Sequence, residues 1–475
     1  MARWIADWRP EDKGFWERTG RRTATRNLVF SIFAEHLGFS VWLLWSTVAV
    51  SLNKAGFHFG IAQLFWLVAV PNLVGSLLRL PYTFAVARFG GRNWTVFSAV
   101  ILLVPVLLLA VAVSHPGTPY GVFLLIAAVA GLGGGNFASS MANISFFYPE
   151  DRKGLALGLN AAGGNLGVAV VQRLVPWVVT VGIVGAAQKP RMYLQNAGLV
   201  YVLPIVLAAV LAWRYMDNLS VSSATFAEQR PVLRRRHTWV MSFLYVGTFG
   251  SFIGFSAAFP LLITKTFPAV SAASFAFLGP LVGSLSRPFG GALADRVGGA
   301  RVTVAVFAVQ GACIPWVIAS VHARSWPSYL AAFLAMFVTT GVGNGSTYRM
   351  IPAIFRSDAQ RVADSDGADP QAALAAGRRD AAAALGIAGA VGALGGVLIP
   401  ISLGISSPRG TAAFDPRSLD PAFIGFMAFY AVCAGVTWFC YLRRRALIRA
   451  APSLATAGAR QMDAAGVRQV DAARV

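Results

Sequence analysis

The sequence predicts an all-α membrane protein with 12 transmembrane helices in two pseudo-symmetric six-helix bundles, and three observations carry that expectation. Of its 475 residues 56% are hydrophobic and only 12% charged, and its mean hydropathy is +0.62. A soluble chain of this size could not cover so much apolar surface, so the bilayer is its natural solvent. The apolar residues fall into twelve runs of spanning length, and the runs of the second half repeat those of the first.

The first 27 residues are polar and basic, lack the apolar core and cleavage site of a signal peptide, and are expected to form a cytoplasmic segment, 1–27. A spanning helix needs roughly 20 mostly apolar residues. Runs at 28–52, 61–87, 93–113, 121–147, 154–180 and 197–216 build the first bundle, 28–216. The stretch 217–238, with Arg234, Arg235 and Arg236, is too polar to span and reads as a cytoplasmic linker. Runs at 239–263, 270–294, 301–322, 328–354, 381–405 and 422–442 build the second bundle, 239–442. It is interrupted by a polar cytoplasmic loop insertion at 356–380 and followed by a cytoplasmic tail, 443–475.

The net charge of +21 does not point to nucleic acid, because the basic residues lie between apolar runs and not on one face with interleaved aromatics. Apart from Arg214 and Arg301 at the very ends of their runs, only Arg79, Arg173, Arg287 and Arg349 of the 40 Lys and Arg fall inside runs. Most of the others fall on the side of the membrane that holds the N-terminus, which makes both termini cytoplasmic by the positive-inside rule. Cys313, Cys433 and Cys440 all sit in apolar runs without metal-ligand spacing, so neither a disulfide framework nor a metal site nor a cofactor is expected.

The halves repeat in detail. Arg79, Arg88 and Gly90 recur with the same spacing as Arg287, Arg296 and Gly298. Gly131, Gly133 and Gly135 recur as Gly341, Gly343 and Gly345, and LGLNAAGGNLGV at 157–168 is echoed by LGIAGAVGALGG at 385–396. Six plus six helices from a duplicated half is the plan of the major facilitator superfamily, with substrate held near the midplane between the halves.

Arg79 and Arg287 lie deep in their runs, where an unpaired guanidinium costs at least roughly 2.5–3.5 kcal/mol. Of the 19 carboxylates only Glu35 sits well inside a run, so one acid cannot neutralise both arginines. An exchangeable anion can, and the planar fork of donors suits a flat oxyanion or a carboxylate. The competing reading is structural, with each arginine snorkelling or bonded to carbonyls; for Arg173 and Arg349, nearer helix ends, snorkelling is preferred. The glycine stripes let backbones approach closely, and Asn136, Asn143, Asn160, Asn165 and Asn344 are interleaved with them.

The segment GLGGGNFASSMANISFFYPEDRKGLALGLNAAGGNLGV at 131–168 resembles the signature of the nitrate/nitrite porter family of that superfamily. AAALGIAGAVGALGGVLIP at 382–400 resembles the family's second signature. The resemblance implies an anion site in which Arg79 and Arg287 grip nitrate or nitrite, Phe137 and Tyr348 flank it, and Tyr245 and Asn165 complete its hydrogen bonds. It further implies secondary active transport across a bacterial inner (plasma) membrane, by a protein able to work as a monomer. GALADRVGGAR at 291–301 resembles the superfamily's cytoplasmic loop motif, with Asp295, Arg296 and Arg301 as a gating latch; the first half has Ala87 where the aspartate belongs, which puts a symmetrical latch in doubt.

Uptake of an anion against an inside-negative potential requires coupling. Burial favours the uncharged forms of a carboxyl and an imidazole, so Glu35 and its neighbour His36 are the proton-coupling candidates, unless Glu35 lies near the surface and pairs with a basic side chain. The reading is nitrate/proton symport, with nitrate/nitrite antiport as the alternative. A membrane enzyme is disfavoured, since no nucleophile–base pair or metal cluster is present. An anion channel, a nitrate sensor without transport, and a porter for another small anion such as an organic acid remain as rivals.

Overall fold

The computed structural model describes residues 4–220, 230–366, 369–407 and 414–443. The expected C-terminal tail from 444 on, residues 221–229 of the linker, residues 1–3 and residues 367–368 of the loop insertion lie outside the described residues.

Long helices account for nearly all of the described chain. In order they are α1 (Lys13–Ala55), α2 (Ile61–Phe89), α3 (Gly91–Val113), α4 (Tyr120–Phe147), α5 (Glu150–Val178) and α6 (Asn196–Tyr215). Then follow α7 (Arg236–Thr266), α8 (Leu278–Val297), α9 (Gly299–His322), α10 (Trp326–Asp366), α11 (Gln371–Ser406) and α12 (Pro416–Leu442). Among the described residues, eleven are long and apolar enough to cross a membrane by length and composition. The remaining helix, α8, packs Arg287, Asp295 and Arg296 into 20 residues, which lowers its apolar content.

Two expectations are modified. The polar segment before residue 28 is not a separate tail, because α1 already begins at Lys13 and runs into the first apolar run. The insertion at 356–380 is helical on both sides of residues 367–368: α10 continues to Asp366 and α11 starts at Gln371. Hydropathy marks this stretch as non-spanning, but its alanine content favours helix.

The duplication is visible in the packing. An added Cβ on Gly133 of α4 would lie 2.3 Å from the Gly38 carbonyl oxygen of α1, and one on Gly343 of α10 would lie 2.8 Å from the Thr248 side chain of α7. Both residues of the second contact occupy the repeat positions of the first. Across the two halves α2 packs on α11, α5 on α8 and α1 on α7. At these seams Gly404 meets Phe65, Gly396 meets Asn72, and Gln172 Nε2 donates to the Ser256 carbonyl at 2.7 Å.

Each half also has its own fastening at one end. In the first, strands β1 (Trp4–Ile5) and β2 (Asn218–Leu219) pair in parallel. Trp8 Nε1 donates to the Phe146 carbonyl at 3.1 Å, and Glu11 Oε1 accepts from the Glu150 amide that opens α5 at 3.1 Å. In the second half, Arg235 at the start of α7 pairs with Asp358 of α10 at 3.8 Å and Asp380 of α11 at 3.4 Å.

The glycine contacts make a stability prediction. An added Cβ on Gly167 would lie 2.2 Å from the His36 carbonyl oxygen, whereas at Gly158 it meets nothing within 4 Å. Gly167→Ala is expected to cost on the order of 1–3 kcal/mol by forcing α5 off α1. Thermal unfolding of the detergent-solubilised protein should show a midpoint several degrees lower for Gly167→Ala and little changed for Gly158→Ala.

Candidate functional site

Arg79 projects from α2 into the seam between the halves and is fully buried. Its Nε donates to the Gly134 carbonyl of α4 at 3.2 Å and its Nη1 to the Gly389 carbonyl of α11 at 2.7 Å, while Nη2 is buried without a hydrogen-bond partner. The guanidinium carbon lies 4.6 Å from the ring centre of Phe137, 4.8 Å from Phe249 and 5.2 Å from Trp42. Ring faces carry partial negative charge and offset part of the lost hydration.

Arg287 enters from α8, also buried. Its guanidinium carbon lies 5.3 Å from the Tyr348 ring and 5.9 Å from that of Phe137, and its Nη1 has no hydrogen-bond partner. Phe137 is therefore shared by both cations, and it stacks on Phe249 with centres 6.0 Å apart. Among the described residues no carboxylate lies within ion-pair distance of either arginine. Carbonyl bonding, one of the structural alternatives, accounts for two nitrogens of Arg79 and leaves its third open.

Tyr245 is buried beside this pair, its hydroxyl donating to Asn344 Oδ1 at 2.7 Å and its ring stacked on Phe249 at 5.3 Å. The wider turn of α7 over Val246–Gly250 sets both rings on one face. Tyr348 lies 6.3 Å from Tyr245, ring centre to ring centre, and Asn165 Oδ1 is buried without a partner. The residues expected to bind substrate thus fall on α2, α4, α5, α7, α8 and α10, and the contacts join Arg79, Arg287, Phe137, Tyr245 and Tyr348 directly. Sequence reasoning missed Phe249, Trp42 and the Gly389 carbonyl. The only local sign of Phe249 is its place four residues after Tyr245 in FLYVGTFGSF.

Glu35 is fully buried, and its Oε2 accepts from Ser140 Oγ at 2.5 Å and Asn160 Nδ2 at 2.6 Å. Its Oε1 has no partner and rests against Gly164, where a Cβ would lie 2.4 Å away. The alternative in which Glu35 pairs with a basic neighbour is not what the structure has. His36 faces α5, its Nδ1 3.1 Å from the Gly163 carbonyl oxygen.

Asp295 pairs with Arg349 Nε at 2.8 Å, and not with Arg296 or Arg301, which are exposed. Arg349 is therefore ion-paired, in place of the snorkelling preferred for it, because α10 crosses the end of α8. Its guanidinium also abuts Gly154 of α5, so the pair touches the opposite half. Arg173 lies with its guanidinium carbon 5.7 Å from the Phe277 ring centre across the same seam. At the first-half loop, where Ala87 replaces the aspartate, the Asn218 side chain packs on Gly90 and accepts from the Asn93 amide at 3.3 Å.

A pair of guanidinium groups framed by rings and, among the described residues, without a carboxylate counter-ion has the chemistry to hold an anion, and flat aromatic walls suit a flat one. Comparison with known proteins bears on which. The family model of the Major Facilitator Superfamily matches residues 28–400. The chain is 43% identical to the nitrate/nitrite transporter NarU of Escherichia coli strain K12, over 93% of this chain and 96% of that protein. It is 37% identical to a protein of Thermus thermophilus named as a probable nitrate/nitrite antiporter, NarK2, over 93% and 97%. In fold it is similar to a D-xylose–proton symporter, with a TM-score of 0.63 at 14% identity over 87% of this chain and 96% of that one. It is also similar to a bacterial homologue of the lysosomal transporter Spinster in an inward-facing, occupied conformation, with a TM-score of 0.64 at 15% identity over 86% and 95%.

The Tyr245–Asn344 bond is directly testable. Tyr245→Phe leaves a buried amide oxygen without its donor, which is expected to cost about 1–3 kcal/mol and to lower the thermal midpoint of the detergent-solubilised protein.

Proposed function

Because the chain belongs to the nitrate/nitrite porter family of the Major Facilitator Superfamily, whose members are transporters and not enzymes, we propose that it carries nitrate and nitrite across a bacterial inner membrane by alternating access. The observation that carries this reading is the open donor on each of two buried guanidinium groups, Arg79 Nη2 and Arg287 Nη1, both beside the Phe137 ring. A planar oxyanion between them would receive charge-assisted hydrogen bonds from both halves at once. Tyr245, Tyr348 and Asn165 would complete its surroundings. An anion so held draws the halves together, and its release lets them part, which is the differential interaction that alternating access requires. The Asp295–Arg349 pair beside Gly154 would latch one of the two conformations, with Arg296 and Arg301 as further cations at that loop.

Proton symport is the preferred mode. Its support is Glu35, a buried carboxyl that lacks a cationic partner and so can carry a proton into and out of an apolar seam; His36 is the second candidate. Exchange is the other reading, favoured by the name of the relative from Thermus thermophilus. In either mode the bundles 28–216 and 239–442 would rock about the anion, with both termini in the cytoplasm and one chain sufficing.

Nitrate uptake into proteoliposomes distinguishes the modes. An inward proton gradient should drive uptake without internal nitrite, and Glu35→Gln should abolish that drive while leaving exchange against internal nitrite. Dependence on internal nitrite alone would establish exchange and leave Glu35 a structural role. Arg79→Lys and Arg287→Lys each lose the paired donor geometry, and either should lower uptake by roughly 30-fold or more, the equivalent of about 2 kcal/mol or more for a truncated charge pair.

A further inference from the structure

We propose that Ser140 and Ser31 form a proton relay from Glu35 toward the N-terminal end of α1, on a route separate from that of the anion; the proposal rests on the reading of Glu35 as the proton carrier.

Ser140 Oγ lies between two partners, 2.5 Å from Glu35 Oε2 and 2.8 Å from Ser31 Oγ. Asn160 Nδ2 donates to both Glu35 Oε2 and Ser140 Oγ at 2.6 Å. With one lone pair of Ser140 engaged by Asn160, its hydrogen points to the carboxylate and its other lone pair accepts from Ser31. The two hydroxyls are therefore aligned in one direction. Glu35, Ser140, Ser31 and Asn160 are all buried, so water does not compete for these bonds.

The column continues. Ser31 and Asn27 stand one and two turns before Glu35 on the same face of α1. Asn27 is held by Asp217, with its Nδ2 donating to Oδ2 at 3.1 Å and its Oδ1 accepting from the Asp217 amide at 2.9 Å. Asp217 in turn pairs with Arg26 at 2.5 Å, whose side chain is 36% exposed. Four residues, a rise of about 6 Å, separate Ser31 from Asn27 along the axis, a gap that the proposed route would cross through a bridging water.

Release starts from protonated Glu35 with both hydroxyls turned the other way, Ser140 donating to Ser31 and Ser31 to water; the Oε2–H bond of Glu35 then breaks as its proton moves to Ser140 Oγ. The hydrogen of Ser140 passes to Ser31 Oγ, and that of Ser31 passes through water to the Asp217 carboxylate or the solution. Each serine ends as a neutral hydroxyl with its hydrogen reversed, and Glu35 is left as a carboxylate. Loading from this side is the same sequence run backwards. The charged groups that face Glu35 from the anion site are the guanidinium groups of Arg79 and Arg287, two fixed cations that oppose the passage of a proton. Among the described residues, the first ion-paired cation met along the serine route is Arg26.

The test uses the full-length protein in proteoliposomes with a pH indicator inside, reading net nitrate uptake and nitrate counterflow in parallel. Counterflow exchanges loaded carriers and needs no net proton release. Ser31→Ala is expected to lower net proton-linked uptake roughly tenfold or more, with counterflow retained, and Ser31→Thr, which keeps the hydroxyl, to restore net uptake. Glu35→Gln should show the same split. If Glu35→Gln shows it and Ser31→Ala does not, the relay is overturned while the reading of Glu35 stands. Loss of counterflow along with net uptake in Ser31→Ala also overturns it, since the hydroxyl then supports the whole cycle. If the unaltered protein moves no protons with nitrate, both readings fall.

Discussion

Two guanidinium groups that must remain charged inside a seam almost free of carboxylates set the terms for the rest of the molecule. Their hydration has to be replaced, and carboxylates at that place would cancel the charge on which the proposed anion site depends. The replacement is built from ring faces and backbone carbonyls. Both carbonyls that accept from Arg79 belong to glycines, Gly134 and Gly389. The glycine stripes thus have a second consequence beyond close helix packing: they bring unshielded peptide oxygens within reach of a buried cation from both halves.

The duplicated halves have diverged where chemistry is required. By the same repeat that relates Gly38 to Thr248 and Gly133 to Gly343, Glu35 of α1 corresponds to Tyr245 of α7. One copy holds a carboxyl embedded in Ser140 and Asn160, and the other holds a phenol bonded to Asn344. A titratable group in one half and a neutral donor at the equivalent place in the other match the division proposed above, in which one half would handle the coupling ion and the other would orient the anion.

What the sequence disclosed follows from the range over which each signal acts. Spanning helices and their duplication are local patterns, and Arg79 and Arg287 stand out because a charge in an apolar run needs a reason. Phe249 and Trp42 gave no such sign, since an aromatic residue in a membrane helix is ordinary until tertiary packing brings it beside a cation. The same limit applies to Asp295, whose partner Arg349 comes from α10 and not from the loop motif that suggested Arg296 and Arg301. The stretch 356–380 was legible as non-spanning but not as helix, because hydropathy reports solvent and not backbone conformation.

The two end fastenings carry a mechanical consequence. The paired strands Trp4–Ile5 and Asn218–Leu219 with Trp8 and Glu11 join parts of the first half, and the Arg235–Asp358–Asp380 cluster joins parts of the second. Each lies within one half, so the proposed rocking of one half against the other would leave both intact. Such rocking would be taken up at the seam, where glycine backbone, stacked rings and single amide contacts such as Gln172 to Ser256 join the halves. In a body that rocked in this way the switching barrier would be a property of the seam's surface, and whatever occupied that surface would set its speed.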